Sequence, residues 1–257
     1  MPVAAERRRD NPEFVTFSGS DTILGPLADR EDGGHLTIMP EHRVTSMKQQ
    51  GGRIVSAELC DMRSRARKTA EADIFIIACG AVHTSQLLWA SNIRPRALGH
   101  YFSDHIFAFC QIVLKEAVIK EMGAEAVRRG FAADRHSRDP IPIPMKDPPP
   151  HIWIPVSESR PWHCQVQRDV TPIGGIPADI DGRLVVDLQW FGMIDPVYEN
   201  HVRFEEDMRD KFGMPQPTFE FSYGDEDKGR ASNMMADMVD AAGALGGFLA
   251  GSEPRFT

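Results

Sequence analysis

Apolar and polar positions alternate along this chain in short runs, and the period changes from run to run. Leu36 to Met39 is a brief apolar stretch that predicts a short strand. Arg43 to Met47 and Arg53 to Leu59 flank Gln49-Gln50-Gly51-Gly52, which predicts a hairpin. Asp73-Ile74-Phe75-Ile76-Ile77-Ala78-Cys79-Gly80 is a continuous apolar run ending in glycine. That pattern predicts a strand covered on both faces, as in a parallel sheet. Thr84 to Ser91 then reads as a short helix, with Leu87, Leu88 and Ala90 as its apolar residues. The first twenty residues are polar and without period, and read as a frayed or truncated end.

Further along, Phe107 to Leu114 predicts a strand, and Glu116 to Arg129 a helix with Val118, Ile119, Met122 and Ala126 on one side. Pro140 to Pro150 is too rich in proline to be anything but an extended connector. Arg183 to Phe191 alternates: Leu184, Val186, Leu188 and Trp190 face one way, Val185, Asp187, Gln189 and Phe191 the other. His201 to Glu205 and Thr218 to Tyr223 alternate as well. A helix from Lys228 to about Leu249 follows, ending near Gly246 and Gly247. Met234, Met235 and Met238 lie at helical spacing within it and read as core filler. The expected fold class is therefore α/β (α+β): part of an α/β layer first, then a mostly antiparallel sheet flanked by helices, with the boundary near residue 105.

Composition narrows the function. The 257 residues carry a net charge of −8 at 42% apolar and 26% charged content, ordinary for a globular protein able to bury a core. No basic stripe marks a nucleic-acid binder: Arg7-Arg8-Arg9 and the run Arg63 to Lys68 are short and read as solvated surface. No apolar stretch reaches the length of a membrane span, and Met1 to Arg9 has no apolar core of a signal peptide. Cys60, Cys79, Cys110 and Cys164 are scattered, at spacings that suit neither a zinc site nor a disulfide framework. They read as reduced, mostly buried thiols of a cytoplasmic protein without a metal.

Several segments carry a family resemblance. Ile77-Ala78-Cys79-Gly80-Ala81-Val82-His83-Thr84, followed by Ser85-Gln86-Leu87-Leu88-Trp89-Ala90-Ser91, resembles the segment of the glucose-methanol-choline (GMC) oxidoreductase superfamily that turns at Gly-Ala beside the FAD. The physical sense is that a glycine ending a strand lets backbone approach a cofactor closely. Pro140 to Pro150, Pro161 to Asp169, Ile180 to Asp187, Asn200 with Phe204, Met214 to Phe219 and Gly246 to Ser252 are similar, in that order, to segments of the pyranose oxidases within that superfamily.

The resemblance implies an FAD-dependent oxidoreductase acting on CH–OH groups of a sugar or glycoside, with oxygen or a quinone as acceptor. It implies a partial FAD-binding domain over residues 1–105 and a substrate-binding domain over 106–257. Val44, Cys79, Gly80 and Ala81 are the implied cofactor contacts. Gln165, Gln167 and Asp169 alternate on one strand and so share a face; with Gln189 they are the implied sugar contacts. The family often has His where Gln167 stands, Arg where Gln189 stands, and an aromatic loop where Val170 to Gly175 stands, so a bulkier glycoside oxidised at C3 fits the sequence at least as well as free glucose does. Asp104-His105 resembles a superfamily signature, read here as structural hydrogen bonding, and His83 reads as helix-start packing. The family's Gly-x-Gly-x-x-Gly cradle does not occur in the sequence, nor does its His–Asn base pair. The expectation is of an internal fragment with no catalytic residue of its own and weak or absent FAD binding. It would be inactive alone, as a non-catalytic remnant or as one subunit of a split oxidase whose complementary chain carries the missing ends.

Overall fold

The computed structural model describes residues 5–7, 15–27, 36–130, 139–141, 152–168 and 175–256. In chain order the elements are β1 (Ala5–Arg7), β2 (Val15–Phe17), α1 (Ser20–Leu24), β3 (His42–Gln50), β4 (Arg53–Asp61), β5 (Arg67–Glu71), α2 (Gly80–Ala90), β6 (Ile106–Leu114), α3 (Glu116–Arg128) and β7 (Ile152–Ile154). After these come β8 (Trp162–Arg168), β9 (Val185–Gly192), β10 (His201–Arg203), β11 (Thr218–Glu220), α4 (Asp225–Leu245), β12 (Gly246–Phe248) and β13 (Arg255–Phe256). Every ladder pairing among the described residues is antiparallel. The fold is mixed α/β with antiparallel sheets and few helices. The polar start of the chain is more ordered than its composition predicts, because β1 pairs with β2.

The chain divides into two compact units. One comprises Leu36–Asp104 and Asp195–Tyr223. In it the predicted hairpin forms: β3 pairs with β4 across Gly51 and Gly52, both with φ in the left-handed region, as a two-residue turn requires. β5, which the sequence pattern missed because it is polar and fully exposed, adds a third strand. α2 lies on this sheet, with Met47, Ala57, Leu59 and Leu87 as a buried cluster and Val44, Ile54, Phe75 and Ile77 packed against it. Gln86 ties α2 to the later segment, donating to the Pro215 carbonyl at 2.8 Å and to Asp210 Oδ2 at 3.2 Å. β10 and β11 form a separate pair. Gly99 runs so close to Val202 that a Cβ there would sit 2.0 Å from its carbonyl oxygen, so only glycine fits.

Two expected strands are corrected here. Leu36 to Met39 joins no ladder among the described residues. Ile74 to Ala78 is not a strand buried on both faces. Its chain joins no ladder among the described residues; Phe75 and Ile77 pack on the apolar cluster while Ile74 and Ile76 are 78% and 86% exposed. Apolar content alone does not make a central strand, because a strand also needs neighbours to accept its backbone hydrogen bonds. The helix after it begins at Gly80 rather than Thr84.

The other unit comprises Met1–His35, His105–Ile194 and Gly224–Thr257. Its sheet runs β12-β6-β9-β8-β7, with β13 also pairing β6. Ile106, Ala108, Cys110 and Ile112 of β6, Val186, Leu188 and Trp190 of β9, and Trp162 and Cys164 of β8 share one face and are buried. α4 packs against β6 and β9 and buries Met234, Met238 and Ala242. Asp225, Glu226 and Asp227 open α4, where the helix dipole favours acids, and the Gly224 N–H donates to Asp227 Oδ2 at 3.0 Å. All four cysteines are free; Cys110 and Cys164 are buried, Cys60 is half-buried, and Cys79 is exposed, against the expectation for it. No described helix is long and apolar enough to cross a membrane, and no group of His, Cys, Asp and Glu among the described residues could hold a metal ion.

Candidate functional site

The second face of the β6-β9-β8 sheet is built differently from the first. The period of two places His163, Gln165 and Gln167 of β8 on it. Register sets Phe191, Gln189 and Asp187 of β9 directly opposite them, and Phe107, Phe109 and Gln111 of β6 opposite those. Two strips result. One is aromatic: Phe107 lies 4.9 Å from Phe191 and 6.2 Å from Phe109, and His163 stacks on Phe191 at 4.8 Å. His105 meets the edge of Phe191 at 4.9 Å, and the Arg255 guanidinium sits 4.9 Å from the Phe109 ring centre.

The other strip is a run of amides. Gln167 Nε2 donates to Gln165 Oε1 at 2.9 Å, and Gln189 Nε2 donates to Gln167 Oε1 at 3.2 Å. Gln111 Nε2 donates to Asp187 Oδ1 at 2.7 Å, and the Gln189 amide also hydrogen-bonds that carboxylate. Burial pushes the Asp187 carboxyl up from its usual range, with the two amide bonds acting against it. Burial, and then the neighbouring His105, push His163 down. The end of β8 is clamped: Arg168 makes a two-pronged pair with Asp139, at 2.6 and 2.8 Å, and donates from Nε to the Arg183 carbonyl at 2.8 Å.

The structure thus brings together Gln165, Gln167 and Gln189. Asp169, the fourth residue of that set, lies outside the described residues, as do most of the proline-rich connector and most of the loop that follows Asp169. Sequence reasoning missed Asp187 and Gln111 as members of the set. The signal was there for Asp187, since the alternation of β9 puts it two positions from Gln189 on the same face. Gln111 needed the pairing of β6 with β9, which no local pattern supplies.

The four residues expected at a cofactor fall in the other unit. Val44 is half-buried and packs on the apolar cluster, so it forms a supporting wall rather than an open contact. Cys79, Gly80 and Ala81 are exposed at the start of α2. Among the described residues no side chain caps that end, its first turn holds no acid, and Gly80 adopts φ +77° with open space where a Cβ would point. An eleven-residue helix with an uncapped, acid-free, exposed N-terminus fits the polar or anionic parts of FAD. His83 is exposed, one turn along. Beside this end, a cavity of about 420 Å³ is lined by residues that include Ala81, Ser85, His100 and Phe102.

Comparison with known proteins identifies the family. Residues 17–107 match the family model described as GMC oxidoreductase. The chain is similar along its whole length to the pyranose 2-oxidase of Tricholoma matsutake, at 39% identity, and to that of Lyophyllum shimeji, at 32%, covering 47% and 46% of those proteins. A C-glycoside 3-oxidase of Microbacterium trichothecenolyticum is 30% identical over 96% of this chain and 45% of its own length. The chain spans about half the length of the curated relatives it matches. It belongs to the GMC oxidoreductase family, as a pyranose oxidase-like member.

Proposed function

We propose that this protein is an FAD-dependent oxidoreductase that acts on the CH–OH groups of a sugar or glycoside. Gln165, Gln167, Asp169 and Gln189 are its sugar contacts; Cys79, Gly80 and Ala81, with Val44 behind them, are its flavin contacts. The observation that carries this reading is the amide strip beside the aromatic strip on one sheet face. Amides supply both donors and acceptors to hydroxyls, while aromatic rings cover the apolar C–H face of a pyranose. Bound FAD would supply the redox chemistry, hydride acceptance from a sugar carbon with oxygen or a quinone as the final acceptor. The chain's own residues hold and orient the sugar.

The test is a chimera in which residues 36–256 replace the matching stretch of the Tricholoma matsutake enzyme. It should be yellow and should oxidise a pyranose or a glycoside. A flavin-loaded chimera that turns over neither would overturn the reading. An exposed helix N-terminus is by itself a weak hold on the anionic part of FAD, so the chain alone should lose flavin on gel filtration. Stoichiometric flavin retained through the column would contradict that.

A second reading, in which the chain acts as one subunit beside a complementary polypeptide, draws on Ile74 and Ile76. They lie exposed on a stretch without ladder partners among the described residues, the kind of surface that invites association. Replacing both with lysine should raise the soluble yield of the chain expressed alone. If the variant instead loses its cooperative melt, the run belongs to the core and this reading fails.

A further inference from the structure

The polar face holds a buried carboxylate to which no Lys or Arg is paired among the described residues. Asp187 is 4% exposed. Its partners are two amides, Gln111 at 2.7 Å and Gln189. An ionised carboxylate can only accept hydrogen bonds, so both amides must turn their NH₂ groups toward it. That choice propagates. The Gln189 NH₂ also donates to Gln167 Oε1, which leaves the Gln167 NH₂ to donate to Gln165 Oε1. Each amide accepts at oxygen and donates at nitrogen, so an orientation imposed at Asp187 is relayed to the far end. On the opposite flank, Ser252 Oγ donates to Gln111 Oε1 at 3.2 Å, and both residues are fully buried. Gln111 cannot turn over without losing bonds at both ends.

An apolar side chain at 187 would avoid the cost of burying a charge without a cation. We propose that Asp187 is a positioning residue: it sets the polarity of the glutamine ladder, so that Gln165 at the outer end presents N–H donors to an acceptor oxygen of the ligand. The ligand group selected is a hydroxyl, ring or glycosidic oxygen. The idea rests on the sugar-facing reading of this surface, but it is tested apart from it.

The experiment follows the glutamine side-chain NH₂ resonances of the full chain by ¹⁵N–¹H spectroscopy while D-glucose is added. Asp187→Asn places an NH₂ where the ladder needs an acceptor, so one neighbouring amide must turn. The Gln165 and Gln167 resonances should shift and broaden, and the D-glucose Kd should weaken about tenfold. The melting temperature should hold or rise, because a buried charge is gone. Gln167→Leu leaves Asp187 in place and cuts the relay; it should move the Gln165 resonances too, and Asp187→Asn added to it should move them no further. Unchanged Gln165 resonances in both single variants overturn the proposal, as does Asp187→Asn if resonances and Kd both match the unaltered chain. If Asp187→Asn moves the ladder but D-glucose perturbs no resonance of the unaltered chain, the ladder polarity stands and the sugar reading falls.

Discussion

The two faces of the β6-β9-β8 sheet use the same strands for opposite ends. On the face toward α4, Ile112, Leu188, Met234, Met238 and Cys110 are at 0% exposure. Burial there pushes the Cys110 thiol, and Cys164 with it, up to about 12, so neither ionises at neutral pH. On the other face the partly exposed positions are amides, aromatic rings and a histidine. The same burial that stabilises one face imposes a cost on the other, where Asp187 must be hydrogen-bonded twice to be tolerated. Packing sets the stability of this unit, and the polar face spends some of it on orientation.

The sharpest way to break the comparison is to open the dry face. Leu188→Ala removes a side chain at 0% exposure and should cost about 2–5 kcal/mol in unfolding free energy, depending on how far α4 collapses into the gap. Denaturant unfolding measures it. A cost below that of an exposed substitution would mean that this face is not the core. Gln165→Ala, in the adjacent cross-strand pair but facing the other side, should do the reverse. In the chimera it should lower kcat/KM about tenfold, or roughly 1–3 kcal/mol, because partners built for hydroxyls are left unpaired. Its effect on stability should stay within about 0.5 kcal/mol. Val166→Ala, one position out of phase, should affect stability and leave turnover alone. If Val166→Ala impairs turnover and Gln165→Ala does not, the faces have been assigned to the wrong roles.

A smaller effect is expected at Trp190. Its indole Nε1 is buried with no hydrogen-bond partner among the described residues. Trp190→Phe loses packing but also removes an unsatisfied donor, whose burial is itself unfavourable. The two partly cancel, so the cost should fall well below that of Leu188→Ala, at about 1 kcal/mol or less. A cost equal to Leu188→Ala would show that Nε1 is satisfied after all.

Much of this contrast could be read in the sequence. Alternation over Val185 to Phe191 and over Gln165 to Gln167 assigns each side chain to its observed face, because the period of two is a local property; Arg183 and Leu184, read into the same strand, sit instead in the turn before it. The hairpin at Gly51-Gly52 was legible for the same reason. What failed was whatever depends on neighbours. Ile74 to Ala78 looks like a central strand by content, but ladder partners decide strand formation, and content does not report them. β5 was invisible because Arg67–Glu71 is polar and takes its structure from its pairing with β4. Gln111 looked like one polar residue inside an apolar strand; only its register with Asp187 gives it a role.

The smallest effect, and the one that separates the faces by titration, is pH dependence. The polar face holds two titratable groups displaced in opposite directions. Asp187 is raised above its usual value near 3.8, first by burial. The folded state therefore binds that proton more readily than the unfolded state does, so stability falls as pH rises from about 3.8 through the raised folded value. His163 is lowered from 6.5, again first by burial and then by His105. There the unfolded state binds the proton more readily, so stability rises as pH climbs through the folded value up to about 6.5. Both shifts penalise the charged form, and both penalties apply in the acid range between the two windows. Other carboxylates muddy the raw curve: Asp61 and Asp181, held at about 2 by hydrogen bonds, add stability that rises with pH below 3.8. A difference curve removes them. The melting temperature of the unaltered chain minus that of the Asp187→Asn, His163→Phe double variant should dip in that range, and recover toward both about pH 3 and about pH 8. A flat or one-directional difference would mean that burial does not govern both groups. The dry face, whose thiols stay neutral throughout, should show no such dip when Cys110→Ala takes the place of the double variant.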